Sequence, residues 1–384
     1  MKYVIFFWIF PTFVFILAPF AWDPSFEQKQ IMVVTCLLMI LGASIGSFVP
    51  IKMNQQRPTS PKFYQASLKA ALIFCLIING YIYENISFNL VLFDISLRAK
   101  VYESAGIFWS LLVTLMTVAA LIYGLLPKER ISWFMRLLFF INIFLFIGYG
   151  MKASLLQVLL CLYVGGMVNK SKHFNGRSNS GYIGFGKVLK FSAVLLIGFW
   201  IINSLRGGVT YGLFEFGEML YLYIAPNYTN FLNVAGSNFN YGLPLGGLFG
   251  GVYKLFGYSG TPLDQLDESY IEHLTWNVWT YLSTFYVSGG FFEVYFGSLV
   301  VGMYAAIGSK MFNRGQCSLT GAMNYCQMLL LMVFLHNHYY YSSFAPLLSI
   351  FVCSLIESTS KRFSRAEPNN SFIEKNEITG AESR

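Results

Sequence analysis

The residues best placed to do chemistry are a few cations and proton acceptors that border long apolar runs. Arg206 closes one such run in Asn203-Ser204-Leu205-Arg206-Gly207-Gly208. The glycines allow a helix to stop and backbone to approach a ligand, and a guanidinium there could clamp a phosphate through two parallel hydrogen bonds. The alternative is an arginine snorkelling from a helix end. Lys152, Arg98 and Lys100 also border apolar runs; singly each reads as an interfacial anchor, and as a set with Arg206 they make an anion site. His273, in Tyr270-Ile271-Glu272-His273-Leu274, titrates near working pH and suits proton abstraction from a hydroxyl. Glu215 and Glu218 follow Arg206 closely and fit the same role, or pair with the arginine. Tyr211, Tyr221, Tyr223, Tyr228 and Tyr241, interleaved with Asn227, Asn230 and Asn233, offer ring faces and amides of the kind that hold sugars, although interfacial aromatic belts have the same composition.

Other chemistries lack their residues. His336 and His338 have no third ligand set by spacing, so no metal is expected, and Asp264, Asp267 and Glu268 read as a solvated acidic loop. No Walker loop, dinucleotide fingerprint or zinc helix occurs. No cofactor is therefore expected, and a reaction would have to draw on a substrate that carries its own good leaving group.

The elements that must position these residues are membrane helices. Of the 384 residues, 55% are hydrophobic and 11% charged, far below the roughly 25% charge of soluble domains. Apolar runs long enough for a bilayer recur along the chain, which gives an all-α polytopic membrane protein of about ten transmembrane helices: 3–21, 31–50, 67–83, 105–125, 132–149, 153–168, 188–205, 288–308, 320–335 and 343–357. The first is read as an uncleaved span. With the N-terminus inside, twenty of the 26 lysines and arginines fall in cytoplasmic segments, so the positive-inside rule predicts both termini in the cytoplasm. The net charge of +8 is thus a topology signal, and no nucleic-acid partner is expected. Splitting the apolar stretch from Trp133 to Val168 into a hairpin leaves Lys152 at an outer turn. Residues 1–357 form the integral membrane domain, with one large periplasmic loop at about 206–287, and 358–384 read as a disordered cytoplasmic tail.

In topology over most of the chain, and in three local marks, the sequence resembles the Wzy-type O-antigen polymerases, the oligosaccharide repeat unit polymerases. The marks are Gly150-Met151-Lys152-Ala153-Ser154 opening a span, Arg206 with Gly217 ten intervening residues later, and Asn277-Val278-Trp279-Thr280-Tyr281-Leu282 leading through Gly289-Gly290 into the next pass. The family pattern departs in two respects: a second Arg-to-Gly spacing is absent, and Lys152 stands where arginine is frequent. The resemblance implies a metal-independent glycosyltransferase of the bacterial inner membrane that acts on undecaprenyl-pyrophosphate oligosaccharides at the periplasmic face. It implies Arg206 as the pyrophosphate clamp, helped by Lys152 and Arg98, with Gly217, Asn277 and Tyr211 as further substrate-binding positions. His273 and Glu218 are the candidate bases. Membrane lipid and a polysaccharide chain-length regulator are the implied partners. An O-antigen ligase and a lipid-linked oligosaccharide flippase are the competing functions.

Overall fold

The computed structural model describes residues 2–17, 24–50, 61–86, 105–149, 152–173, 281–313, 318–333 and 345–366, with isolated positions at 101, 186, 190, 193, 231–232, 235 and 253. Among the described residues the protein is all-helical, and four helices are long and apolar enough to cross a membrane. The helices are α1 (Lys2–Leu17), α2 (Phe26–Phe48), α3 (Pro61–Asn85), α4 (Ile107–Leu125), α5 (Trp133–Gly148), α6 (Lys152–His173), α7 (Tyr281–Asn313), α8 (Leu319–Val333) and α9 (Ala345–Ala366).

Local chemistry explains several starts. Ser25 and Gln28 form a capping box at α2: the Gln28 amide donates to Ser25 Oγ, and the Ser25 amide to Gln28 Oε1. The exchange satisfies two orphan donors of the first turn. Ser132 and Ser318 cap α5 and α8 in the same way, accepting from the Met135 and Gly321 amides. The exterior is apolar as well as the core, and some polar side chains are buried. Phe10, Phe26, Phe48, Phe140, Phe144 and Phe351 are exposed, whereas Asn79, Asn142, Thr114, Glu293 and Glu357 are buried. An apolar exterior of this extent on a monomer calls for lipid.

The most extensive helix pair is α2 with α7. Gly42 and Gly46, four apart on α2, abut the backbone at Leu299 and Met303, and Gly302 abuts Met39. Small residues in this spacing let two backbones approach closely, which is the main attraction available between helices in lipid. The Lys310 ammonium then donates to the carbonyls of Ser47 and Val49, closing the C-terminal end of α2 with a cation where the helix dipole favours one. Helices α4 and α6 meet in a similar way at Gly124 and Gly165.

One end of the bundle collects basic residues. Gln65 on α3 donates to the carbonyl of Arg130 in the α4–α5 turn, and Asn169 on α6 to that of Leu126. Phe63 stacks on Phe363 of α9, and Glu357 of α9 accepts from the backbone and hydroxyl of Thr320 at the start of α8. Lys62, Lys69, Lys128, Arg130, Arg136, Lys310, Lys361 and Arg362 all belong to this end. Helices α3, α5 and α8 run away from it, while α2, α4, α6 and α9 run toward it.

Two boundaries differ from the sequence reading. Ser358 to Ala366, expected in the tail, continue α9; the Glu357–Lys361 pair at 2.6 Å and the Phe63–Phe363 stack hold this extension. The helix that contains the span expected at 288–308 begins at Tyr281, and it is not one straight helix.

Candidate functional site

Within α7, Gly289 (φ −157°, ψ 25°) and Gly290 (φ 64°, ψ −155°) leave helical geometry. The Gly290 conformation is one that essentially only glycine adopts. In a continuous helix Tyr281 and Ser298 would stand about 25 Å apart, at about 1.5 Å per residue. Their hydroxyls are 2.9 Å apart, and the Phe285 ring fills the space where a side chain at Gly297 would stand. The short arm Tyr281–Ser288 therefore folds back along the long arm that begins at Phe291. The long arm alone is about 34 Å long at that rise, enough to cross a hydrocarbon core.

The short arm is buried along its whole length, from Tyr281 at 0% exposure to Ser288 at 1%. A non-spanning segment at this depth, about 12 Å below the turn at about 1.5 Å per residue, is tolerated in lipid only when enclosed by protein. Among the described residues α1, α2 and Phe231 enclose it, Phe231 meeting the Tyr286 ring edge-on. Trp8 meets the Tyr281 ring edge-on at 4.9 Å, from a stretch of π-helix at Ile5–Ile9. Such stretches are rare and recur at functional sites. The Cys36 thiol of α2 lies beside Thr12 and Trp8 of α1.

The hairpin is polar inside. Ser298 donates to the Val294 carbonyl and Ser288 to that of Thr284, while the hydroxyls of Ser283 and Thr284 have no hydrogen-bond partner among the described residues. Glu293, 1% exposed, lies three residues into the long arm. Its carboxylate folds back toward the turn, so that a Cβ on Gly289 would sit 2.5 Å from Oε2.

A second buried polar cluster joins α3 to α5. Asn79 donates to Asn142 Oδ1 at 3.0 Å and accepts from the Tyr149 hydroxyl at 3.0 Å. Asn142 donates in turn to the carbonyls of Leu72 and Leu138. Tyr83 stacks on Tyr149 at 4.8 Å, and Trp109 packs edge-on against it. The Asn142 and Tyr149 bonds are complete, which is the signature of polar glue between membrane helices. Both clusters lie in the half of the bundle away from the basic end.

Comparison with protein-family models, curated proteins and solved structures finds no match. The site rests on its own geometry.

Lys152 opens α6 three residues after Tyr149, at the end of the second polar cluster, and its side chain lies outside the described residues. Arg206, His273, Glu218, Arg98, Gly217, Asn277 and Tyr211 also lie outside them. Asn277 precedes the start of the folded-back arm by four residues. The functional feature that sequence reasoning passed over is Glu293, an acid five residues inside an expected span. That position was its signal, because ionisable groups within membrane segments are costly and mark functional sites by default.

Proposed function

We propose that this chain is a glycosyltransferase of the bacterial inner membrane that joins undecaprenyl-pyrophosphate-linked oligosaccharide repeat units at the periplasmic face. The carrying observation is the buried polar hairpin Tyr281–Ser298, which turns back into the bundle away from the basic end. By the positive-inside rule the basic end is cytoplasmic, so the turn at Gly289-Gly290 faces the periplasm. A lipid-linked diphosphate presents its sugars at that interface.

The helix directions support the ten-span reading. Helix α6 and the long arm of α7 both run toward the basic end. In the ten-span reading the apolar run 188–205 would be a span that ends with Arg206 on the periplasmic side. There Arg206 would hold the pyrophosphate, with Lys152 and Arg98 assisting, while Tyr211, Gly217 and Asn277 line the approach. The leaving group is already good, so the demand on the protein is mainly to match its charge and orient the acceptor.

Arg206→Ala tests the reading. The variant is expected to reach the membrane in normal amount and to leave lipopolysaccharide with a single repeat unit; normal ladders would remove Arg206 from the mechanism. Deletion of the gene separates polymerase from ligase, because loss of a ligase leaves bare core. The flippase reading gains one observation, since Glu293 is an ionisable group inside the bundle, as transport paths require. Purified protein that elongates lipid-linked repeats in detergent, with no membrane to cross, eliminates a flippase.

A further inference from the structure

Glu293 belongs to a construction that structural economy does not explain. A 33-residue apolar segment could have crossed as one helix. Instead it folds at two glycines, seals a short arm inside the bundle, and sets the Glu293 backbone about 5 Å below the turn, at about 1.5 Å per residue, with the carboxylate folded back toward that turn. The carboxylate occupies the space that a side chain at residue 289 would need. Residues 289 and 290 both lack side chains, and glycine at such a place lets a ligand come close. The neighbouring Ser283 and Thr284 hydroxyls on the short arm are buried without hydrogen-bond partners among the described residues, so the hairpin holds polar groups available to a hydroxylated ligand.

We infer that Glu293 is the general base for the acceptor sugar, a role that rests on the glycosyltransferase reading above and replaces His273 and Glu218 in it. In the step it serves, the acceptor hydroxyl oxygen attacks the anomeric carbon of the donor sugar. The bond from that carbon to the pyrophosphate oxygen breaks, and its electron pair leaves on the lipid pyrophosphate. The hydroxyl proton passes to the Glu293 carboxylate and from there to water. General base catalysis needs the carboxylate within hydrogen-bond reach of the acceptor hydroxyl, and its position on a helix beside the Gly289-Gly290 turn would let it serve a hydroxyl that enters there.

The test uses the full chain, purified in detergent, elongating a lipid-linked oligosaccharide. Glu293→Gln keeps the shape but accepts no proton, and is expected to lower kcat by about 100-fold or more while KM for the lipid-linked substrate stays within about twofold. A monodisperse Glu293→Gln protein with kcat near that of the wild type overturns the inference, as does a loss carried by KM alone, which would make Glu293 a binding residue. Should Glu293→Gln fail to fold, Glu293→Asp decides. Retraction of the carboxylate by one methylene is expected to lower kcat about tenfold or more at unchanged KM, and an unchanged kcat overturns the assignment. Wild-type protein that elongates nothing refutes the glycosyltransferase reading itself, a failure separable from that of Glu293 alone.

Discussion

The Tyr281 hydroxyl donates to the Ser298 hydroxyl across 2.9 Å, and Ser298 passes its own proton to the Val294 carbonyl. The direction of both bonds follows, because Ser298 has only one proton to give. This pair ties the end of a short buried arm to the middle of the crossing arm, so the depth of the hairpin is set by side chains as well as by the turn. The turn and the tie differ in kind, and their substitutions should differ in size.

Gly290→Ala forces a side chain into a backbone conformation that costs about 1–3 kcal/mol. Tyr281→Phe keeps the packing on Trp8 and removes one interhelical hydrogen bond, worth about 0.6 kcal/mol on average and at most about 1.7. Thermal denaturation of detergent-solubilised protein, followed by size-exclusion fluorescence, should show Gly290→Ala melting well below Tyr281→Phe. Equal melting temperatures would mean that the turn carries no strain against alanine.

Gly42 and Gly302 supply a second contrast. A Cβ at Gly42 runs into the Leu299 carbonyl, and one at Gly302 into the carbonyl of Met39. Backbone gives way less readily than a side chain, so either alanine should separate α2 from α7 and reduce the yield of folded protein severalfold. At Gly80 on α3 a Cβ meets nothing within 4 Å, and alanine there should be neutral or stabilising by up to about 1 kcal/mol through helix propensity. Loss of folded protein in Gly80→Ala would contradict this account of helix spacing.

The same physics decides what could be read from the sequence. Hydropathy and charge located Phe26–Phe48 and Pro61–Asn85, because length and apolarity are local properties. They also placed Lys152 at the opening of a helix. The direction of a helix after a turn is not local. Leu282, Phe285 and Val287 make the short arm apolar, but its eight residues are too few to register as a span, and nothing in their order says that they fold back. Glu293 escapes notice for the same reason: charge counting assigns a residue to a side of the membrane and ignores its burial. The run after Glu357 reads as tail by composition, and the Phe63–Phe363 contact that extends α9 joins residues 300 positions apart. Arg206, His273 and Glu218 lie outside the described residues, so their part of the site stands on the sequence reading.

Asn79 and Asn142 lose less when replaced together than the sum of the two single replacements, although the Tyr149 hydroxyl is stranded in the double variant as well. Asn142→Leu leaves the Asn79 amide buried without its acceptor, at a cost of about 1–3 kcal/mol. Asn79→Leu strands the Asn142 carbonyl oxygen and the Tyr149 hydroxyl in the same way. In the double leucine variant the pair is removed as a unit, so the two costs should fall short of additivity by about 0.5 kcal/mol or more. Denaturant titration of the four proteins in detergent measures the coupling; strict additivity would show that the bond between the two amides contributes nothing.

Orientation has the most direct test. Cys36, Cys75, Cys161, Cys326 and Cys353 are buried, so replacement of Cys317 by serine should leave little thiol open to a membrane-impermeant maleimide. Glu84 and Glu129 are exposed and lie at opposite ends of the bundle, Glu84 beside Tyr83 of the second polar cluster and Glu129 in the basic turn. In spheroplasts, Glu84→Cys should label at once and Glu129→Cys only after the membrane is permeabilised. The reverse pattern would turn the Gly289-Gly290 hairpin toward the cytoplasm. A pyrophosphate-linked glycan displayed in the periplasm could not then reach Glu293, and both the glycosyltransferase reading and the role of that carboxylate would fall together.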